Sequence, residues 1–293
     1  MALVSRYFHP PHHDVIDVVR RTLVEDLTPL GDLTASLVPS EARATAAFVS
    51  RPAGVVAGTA CVVEAIAQVD PSLELDWMVE EGDQVEQQQV LGTIRGSLES
   101  ILIVERPALN FLMYLSGIAS NTRRYVDAAT GSAQVWDTRK TTPGLRSLEK
   151  AAVRAGGARN HRGNLSDWIM LKDNHLMGVS IADGVAKAKE RWPARTVHVE
   201  ADRLEQVEEA VHAKADAILL DNMGPDVLTE AVELVKSLTG DGHRPLLEAS
   251  GGMDLTTIDA VSHTGVDMIS TSKLSFGAPT LDIGLDIHAD SGS

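Results

Sequence analysis

The sequence predicts an α/β protein: an incomplete parallel α/β barrel (TIM-like) with an N-terminal α/β sandwich domain. Three observations carry this reading. From about residue 130, short apolar runs alternate with amphipathic helical stretches, the pattern of βα units. Every one of those runs finishes in charged or hydroxyl-bearing side chains. Residues 41–103 hold instead short alternating strands broken by Gly and Pro, which suit a sandwich.

Taken in order, the chain opens with helical periodicity from Asp14 to Val24, followed by the turn "EDLTPLGDLT". The lead-in "HPPHHD" carries His9, His12 and His13, which read as a mobile segment without a role. The stretch "VEEGDQVEQQQVLGTIRG" at 79–96 resembles the hammerhead of lipoyl and biotinyl carriers. Those need an exposed lysine, and none precedes Lys140, so that role is excluded. The apolar run "ALNFLMYLSGIA" at 108–119 predicts a buried helix, being shorter than the roughly 20 residues of a bilayer span. Six strand candidates follow: "AQVWDTRK", "WIMLKDN", "TVHVEAD", "AILLDN", "PLLEASGG" and "VDMISTSK". Helices are expected at 147–155, 180–191, 204–213, 225–238 and 254–264. Six strands are fewer than the eight of a closed barrel, hence the expectation of an incomplete one.

Composition narrows the function classes. A formal net charge of −15 over 293 residues argues against general binding to nucleic acid or to an anionic membrane. An anion site must then be a local cationic pocket. The amino terminus lacks the pattern of a secretory signal, and Cys61 stands alone and reads as core, so the cytoplasm is the expected location.

Between Arg139 and Lys172 stand eight Lys or Arg against two acids, Glu149 and Asp167. Arg146, Lys150 and Arg154 fit the outer face of an amphipathic helix, solvated or framing. Arg139, Lys140 and Lys172 directly follow apolar strands, where active-site groups of a parallel barrel gather. In "NHRGNLSD", His161 and Arg162 lie in a polar loop after Gly156 and Gly157. Guanidinium forks from Arg139 and Arg162 suit carboxylates, while Lys140 and Lys172 act as compact charges for phosphate or carboxylate. Glu200 and Asp221 end consecutive strands and fit either ion-pair partners or holders of Mg²⁺ through waters and substrate phosphates. The "EASGG" turn offers Ser250, Gly251 and Gly252 as a phosphate nest before a helix expected near Asp254, and "STSK" offers Thr271 and Ser272 for its other side.

In these motifs the chain resembles the quinolinate phosphoribosyltransferases, the decarboxylating nicotinate-nucleotide pyrophosphorylases. The resemblance runs from "EDL...GDLT" through "ERPALNFLMYLSGIA", "DTRKTTPGLR", "NHR" with "LSD", "LKDNH", "LLDNM" and "EASGG" to "LDIGLDI". It implies transfer of phosphoribosyl from phosphoribosyl pyrophosphate (PRPP) to quinolinate with loss of CO₂, giving nicotinate mononucleotide and pyrophosphate, in de novo NAD biosynthesis. It also implies domains at 1–116 and 117–276, with 277–293 returning to the first. The assembly implied is a homodimer in which Arg106 enters the neighbouring active site. Quinolinate would be held by Arg106, Thr138, Arg139, His161, Arg162 and Lys172. PRPP and Mg²⁺ would be held by Lys140, Lys172, Glu200, Asp221, the 250–252 turn, Thr271 and Ser272, with Lys140, Glu200 and Asp221 in catalytic roles. Two departures stand out: His198 replaces an acid common in the family's Glu-Val-Glu, and residues 272–277 replace its usual loop. A monoacid phosphoribosyltransferase and a non-catalytic anion sensor are the rival readings.

Overall fold

The computed structural model describes residues 7–240 and 242–289. In chain order the elements are α1 (His12–Leu27), β1 (Arg43–Ser50), β2 (Gly54–Val55), α2 (Thr59–Val69), β3 (Glu74–Trp77), β4 (Gln84–Val85), β5 (Val90–Ser97) and α3 (Leu98–Ala128). There follow β6 (Gln134–Trp136), α4 (Arg146–Ala155), β7 (Ile169–Leu171), α5 (Ile181–Arg191), β8 (Val197–Ala201), α6 (Leu204–His212) and β9 (Ala217–Asp221). The last are α7 (Pro225–Thr239), β10 (Leu246–Ser250), α8 (Ile258–Ser262), β11 (Met268–Ser270) and β12 (Ile283–Ala289). They form two compact units. The first takes in the described residues up to Arg123, then Thr141–Gly157 and those from Leu274 onward; the second holds Arg124–Lys140 and Ala158–Lys273.

The first unit contains an antiparallel sheet in the order β12-β1-β5-β3 and a separate β2-β4 pair. Alternation along β1 sends Ala44, Ala46 and Phe48 inward, as a half-buried strand requires. Phe48 meets Trp77 of β3 with ring centroids 5.4 Å apart. In α3, Ile101, Val104, Ala108, Leu112, Leu115, Ile118 and Ala119 are buried at helical spacing. The apolar run at 108–119 is thus the middle of a 31-residue helix, longer than expected, and 61% of its most apolar window is buried. Cys61 is fully buried, and burial pushes its thiol above the usual range.

Residues 141–157, expected within the barrel, belong to the first unit. The reason lies in α4, which buries Leu148, Glu149, Lys150, Ala151, Ala152 and Val153. Tyr114 Oη donates to Glu149 Oε1 at 2.7 Å, and the Thr142 amide donates to the same oxygen at 2.9 Å. The solvated cationic face expected for α4 is therefore absent. Lys150 is buried, Arg146 Nε donates to Thr141 Oγ1 at 3.0 Å, and Arg154 donates to the carbonyls of Tyr7 and His9 at 2.7 and 3.1 Å. Those carbonyl contacts tie down the lead-in that the sequence suggested to be mobile.

The second unit is built on a six-stranded parallel sheet in the order β6-β11-β10-β9-β8-β7. Strands β7 to β11 lie in sequence order and β6 closes onto β11, so the sheet follows barrel order with one seam, between β6 and β7. Buried apolar side chains such as Val197, Val199, Ile218, Leu220, Leu247 and Ile269 form the strands. The helix expected at 254–264 is shorter, Ile258–Ser262, because Asp254 Oδ1 accepts from the Thr256 and Thr257 amides and holds 254–257 as a turn.

Candidate active site

Strand register decides where the chemistry gathers. Leu171 lies opposite Val199, Ser250 opposite Asp221 and Ser270 opposite Trp136, so the carboxyl ends of the strands reach one edge. At that edge is a cleft of about 540 Å³. Thr138, Arg139 and Lys140 enter it after β6, Lys172 after β7, Glu200 on β8, Asp221 on β9, and Ser250, Gly251 and Gly252 at the end of β10. Thr138 Oγ1 accepts from the Lys140 amide at 3.0 Å and shapes the turn carrying both cations.

His161 and Arg162 reach the cleft by a different device. Arg159 makes an isolated parallel bridge with Trp136, its amide donating to the Val135 carbonyl at 2.9 Å. The buried Asp137 then accepts from the His161 amide at 2.7 Å and from Asn160 Nδ2 at 2.9 Å. These bonds make the loop an extension of the sheet edge at β6. Burial, and next the nearby Arg139 charge, lower the Arg162 pKa from its ordinary value. The Trp168 carbonyl accepts from Arg162 Nη1 at 3.4 Å.

Across the mouth, Lys172 Nζ forms an ion pair with Glu200 Oε2. At the floor, Glu248 is 1% exposed and its Oε2 pairs with His161 Nε2 at 3.1 Å. Burial opposes its ionisation, but the His161 hydrogen bond and charge, followed by the Ser270 hydroxyl, hold its pKa below the usual value. His198, which stands where an acid was expected, stacks on Trp168 with centroids 4.9 Å apart. Burial pushes its pKa down to about 4, so it is neutral near pH 7.

Gly251 and Gly252 adopt positive φ of 89° and 66°, which lets their backbone turn toward the cleft. No helix begins at this turn, so the helix-terminus contribution expected near Asp254 is missing and the backbone amides are what it offers. Thr271 and Ser272 do not line the cleft. Thr271 is buried, its hydroxyl donating to the Met253 carbonyl at 3.2 Å, and Ser270 takes the lining position one residue earlier. Arg106 lies on α3 in the first unit, 62% exposed, 3.9 Å from Glu105. Asn222, Glu248 and Ser270 also line the cleft; the sequence marked Glu248 and Ser270 as polar endings of apolar runs but assigned none of the three a role.

Four lysine and arginine side chains thus meet three carboxylates in one cleft at the carboxyl edge of an incomplete parallel α/β barrel. This fold and site define an enzyme of small polyanionic substrates. Comparison with known proteins makes the class specific. Residues 32–116 match the family described as "Quinolinate phosphoribosyl transferase, N-terminal domain", and residues 118–286 match its C-terminal domain. The chain belongs to the quinolinate phosphoribosyl transferase family. It is 40% identical to a Synechocystis sp. protein named "Probable nicotinate-nucleotide pyrophosphorylase [carboxylating]", over 95% of this chain and 94% of that one. It is 36% identical to "Quinolinate phosphoribosyltransferase [decarboxylating] 2, mitochondrial" of Nicotiana glauca, over 96% of this chain and 84% of the relative. The solved nicotinate-nucleotide pyrophosphorylase from Francisella tularensis superposes with a TM-score of 0.91 at 33% identity, covering 96% of this chain and 99% of that one.

Proposed function

We propose that the cleft joins quinolinate to the ribosyl carbon of PRPP, releases pyrophosphate and CO₂, and leaves nicotinate mononucleotide for NAD synthesis. The observation that carries this reading is the convergence of Arg139, Arg162 and Lys172 on one cleft, opposite Glu200 and Asp221, in a chain of net charge −15. Two polyanions repel one another, and fixed cations offset that repulsion. Two guanidinium groups with His161 suit a diacid better than a monoacid.

The pyridine nitrogen is itself a nucleophile, so the protein need supply no general base for ring attachment. Arg139, Arg162, His161 and Lys172 orient the diacid, with Thr138 holding the turn beneath. Lys140 and the 250–252 backbone take the phosphates, and Glu200 and Asp221 stabilise the positive charge that develops on the ribosyl carbon. Ring attachment makes the nitrogen cationic, and that charge stabilises the electron pair left on the adjacent ring carbon when its carboxylate departs as CO₂; a proton taken up at that carbon completes nicotinate mononucleotide.

Glu200 and Asp221 are hard oxygen donors on the cleft wall, and their side chains fit Mg²⁺ held through waters and PRPP oxygens. Bound there, Mg²⁺ would supply charge neutralisation for the leaving pyrophosphate. We further infer a homodimer in which Arg106 serves the neighbouring subunit's cleft; its exposure on α3 supports this.

The test is release of labelled CO₂ from carboxyl-labelled quinolinate, dependent on PRPP and accompanied by pyrophosphate. Turnover of nicotinate in place of quinolinate, without CO₂, would favour the monoacid reading. Binding of both reactants without turnover would favour a sensor.

A further inference from the structure

Glu248 is the most deeply buried charge of the site, and the mechanism above does not use it. It lies two residues before Ser250 on β10, on the same face of the strand and one step deeper. A carboxylate 1% exposed is costly to bury unless charge and hydrogen bonds offset its desolvation. Here the offset comes from His161, whose Nε2 lies 3.1 Å from Glu248 Oε2.

His161 is held by two further contacts besides Glu248. Its backbone amide is fixed by Asp137, and the Trp168 ring meets its ring edge-on with centroids 4.8 Å apart. Trp168 is in turn backed by the stacked His198. An ionised carboxylate can only accept, so the hydrogen of the Glu248 bond resides on Nε2. A carboxylate behind an imidazole sets both its orientation and which nitrogen bears hydrogen.

We propose that Glu248 is a positioning residue for the diacid substrate, acting through His161, whose ring it locks into the surface formed with Arg139 and Arg162. The inference rests on the quinolinate reading above. A competing role is that Glu248 only neutralises the surrounding cations. The two roles differ in sign. Removing a pure counter-charge tightens a dianion, whereas releasing the His161 ring loosens it.

Benzene-1,2-dicarboxylate carries the two adjacent carboxylates without the reactive ring nitrogen, so its binding to the full chain can be measured by calorimetry without turnover. Glu248→Gln keeps an acceptor oxygen but removes its charge, and is expected to weaken diacid binding by about 10-fold, the scale of exchanging a charge-assisted hydrogen bond for a neutral one. PRPP binding should change by less than about 3-fold, since the weakened bond lies outside the phosphate turn. In a His161→Gln background, Glu248→Gln should add less than about 2-fold, because the two act as a unit. Tighter or unchanged diacid binding in Glu248→Gln, or a full effect persisting without His161, overturns the proposal. Should Glu248→Gln fail to fold, ¹⁵N NMR of histidine-labelled unmutated protein decides, with the His161 signal assigned from His161→Gln. Hydrogen on Nε2 supports the proposal, and an Nε2 without hydrogen overturns it. If the unmutated protein neither binds the diacid nor turns over quinolinate, the functional reading fails while the NMR result still tests the Glu248–His161 bond.

Discussion

Lys172 and Glu200, at the ends of the adjacent strands β7 and β8, are joined by an ion pair across the mouth of the cleft. Each thereby neutralises the other before any substrate arrives. Binding of anions at Lys172 requires that pair to loosen. Lys172→Ala and Arg139→Ala are each expected to lower turnover on quinolinate by about 10²-fold or more, since preorganised charge in such sites is worth several kcal/mol. Steady-state kinetics check this, and near-normal values in either variant would remove that residue from the site.

The 250–252 turn makes a backbone prediction. Gly251 has φ of +89°, and an added Cβ would collide with Asn222, whose amide donates to the Ser250 carbonyl at 2.9 Å. Gly251→Ala must therefore distort the turn. The KM for PRPP should rise by about 10-fold or more, as expected when a site's geometry is displaced, with the KM for quinolinate much less affected. Equal changes in both constants would show that the turn is not specific to phosphate.

His198 gives the fold a pH dependence. Its pKa is about 4 in the folded protein against an ordinary value of 6.5, so between these values the unfolded chain binds more protons. Stability is therefore whole above pH 6.5 and declines as the pH falls toward 4, by up to about 3 kcal/mol for a shift of this size. Glu248, whose pKa is held below 4.5, adds loss in the same direction only below that value. Urea midpoints measured from pH 7.5 to 4.5 should fall in the unmutated chain and stay flatter in His198→Gln. Parallel curves would mean that the His198 charge is accommodated.

The shared-site proposal predicts complementation. Arg106→Ala and Lys140→Ala proteins should each be inactive, and mixing them should restore activity because one hybrid cleft keeps both residues. No recovery after demonstrated subunit exchange would show that Arg106 does not act across a dimer.

Much of the second unit was legible in the sequence because parallel strands are written locally, as apolar runs ending in polar groups. Five of the runs placed Lys140, Lys172, Glu200, Asp221 and Ser250 at or just past strand ends, and all five line the cleft. Thr271 was misread for lack of register: next to β11 the chain turns its hydroxyl to the Met253 carbonyl, and sequence spacing does not show which side chain of "STSK" points inward. The cationic spacing of α4 suggested a solvated face, yet its surroundings are fixed by Tyr114 and by the Tyr7 and His9 carbonyls, all distant in sequence.

The sequence by itself determined the βα rhythm, the two-part organisation, the local excess of cations in an acidic chain and the family motifs, because periodicity and charge are properties of neighbouring residues. Only the tertiary structure decided that 141–157 joins the first unit, that Asp137 carries His161 and Arg162 to the sheet edge, and that Glu248 lies beneath His161. Those outcomes depend on strand register and on contacts between residues as far as 147 positions apart, which no local pattern encodes.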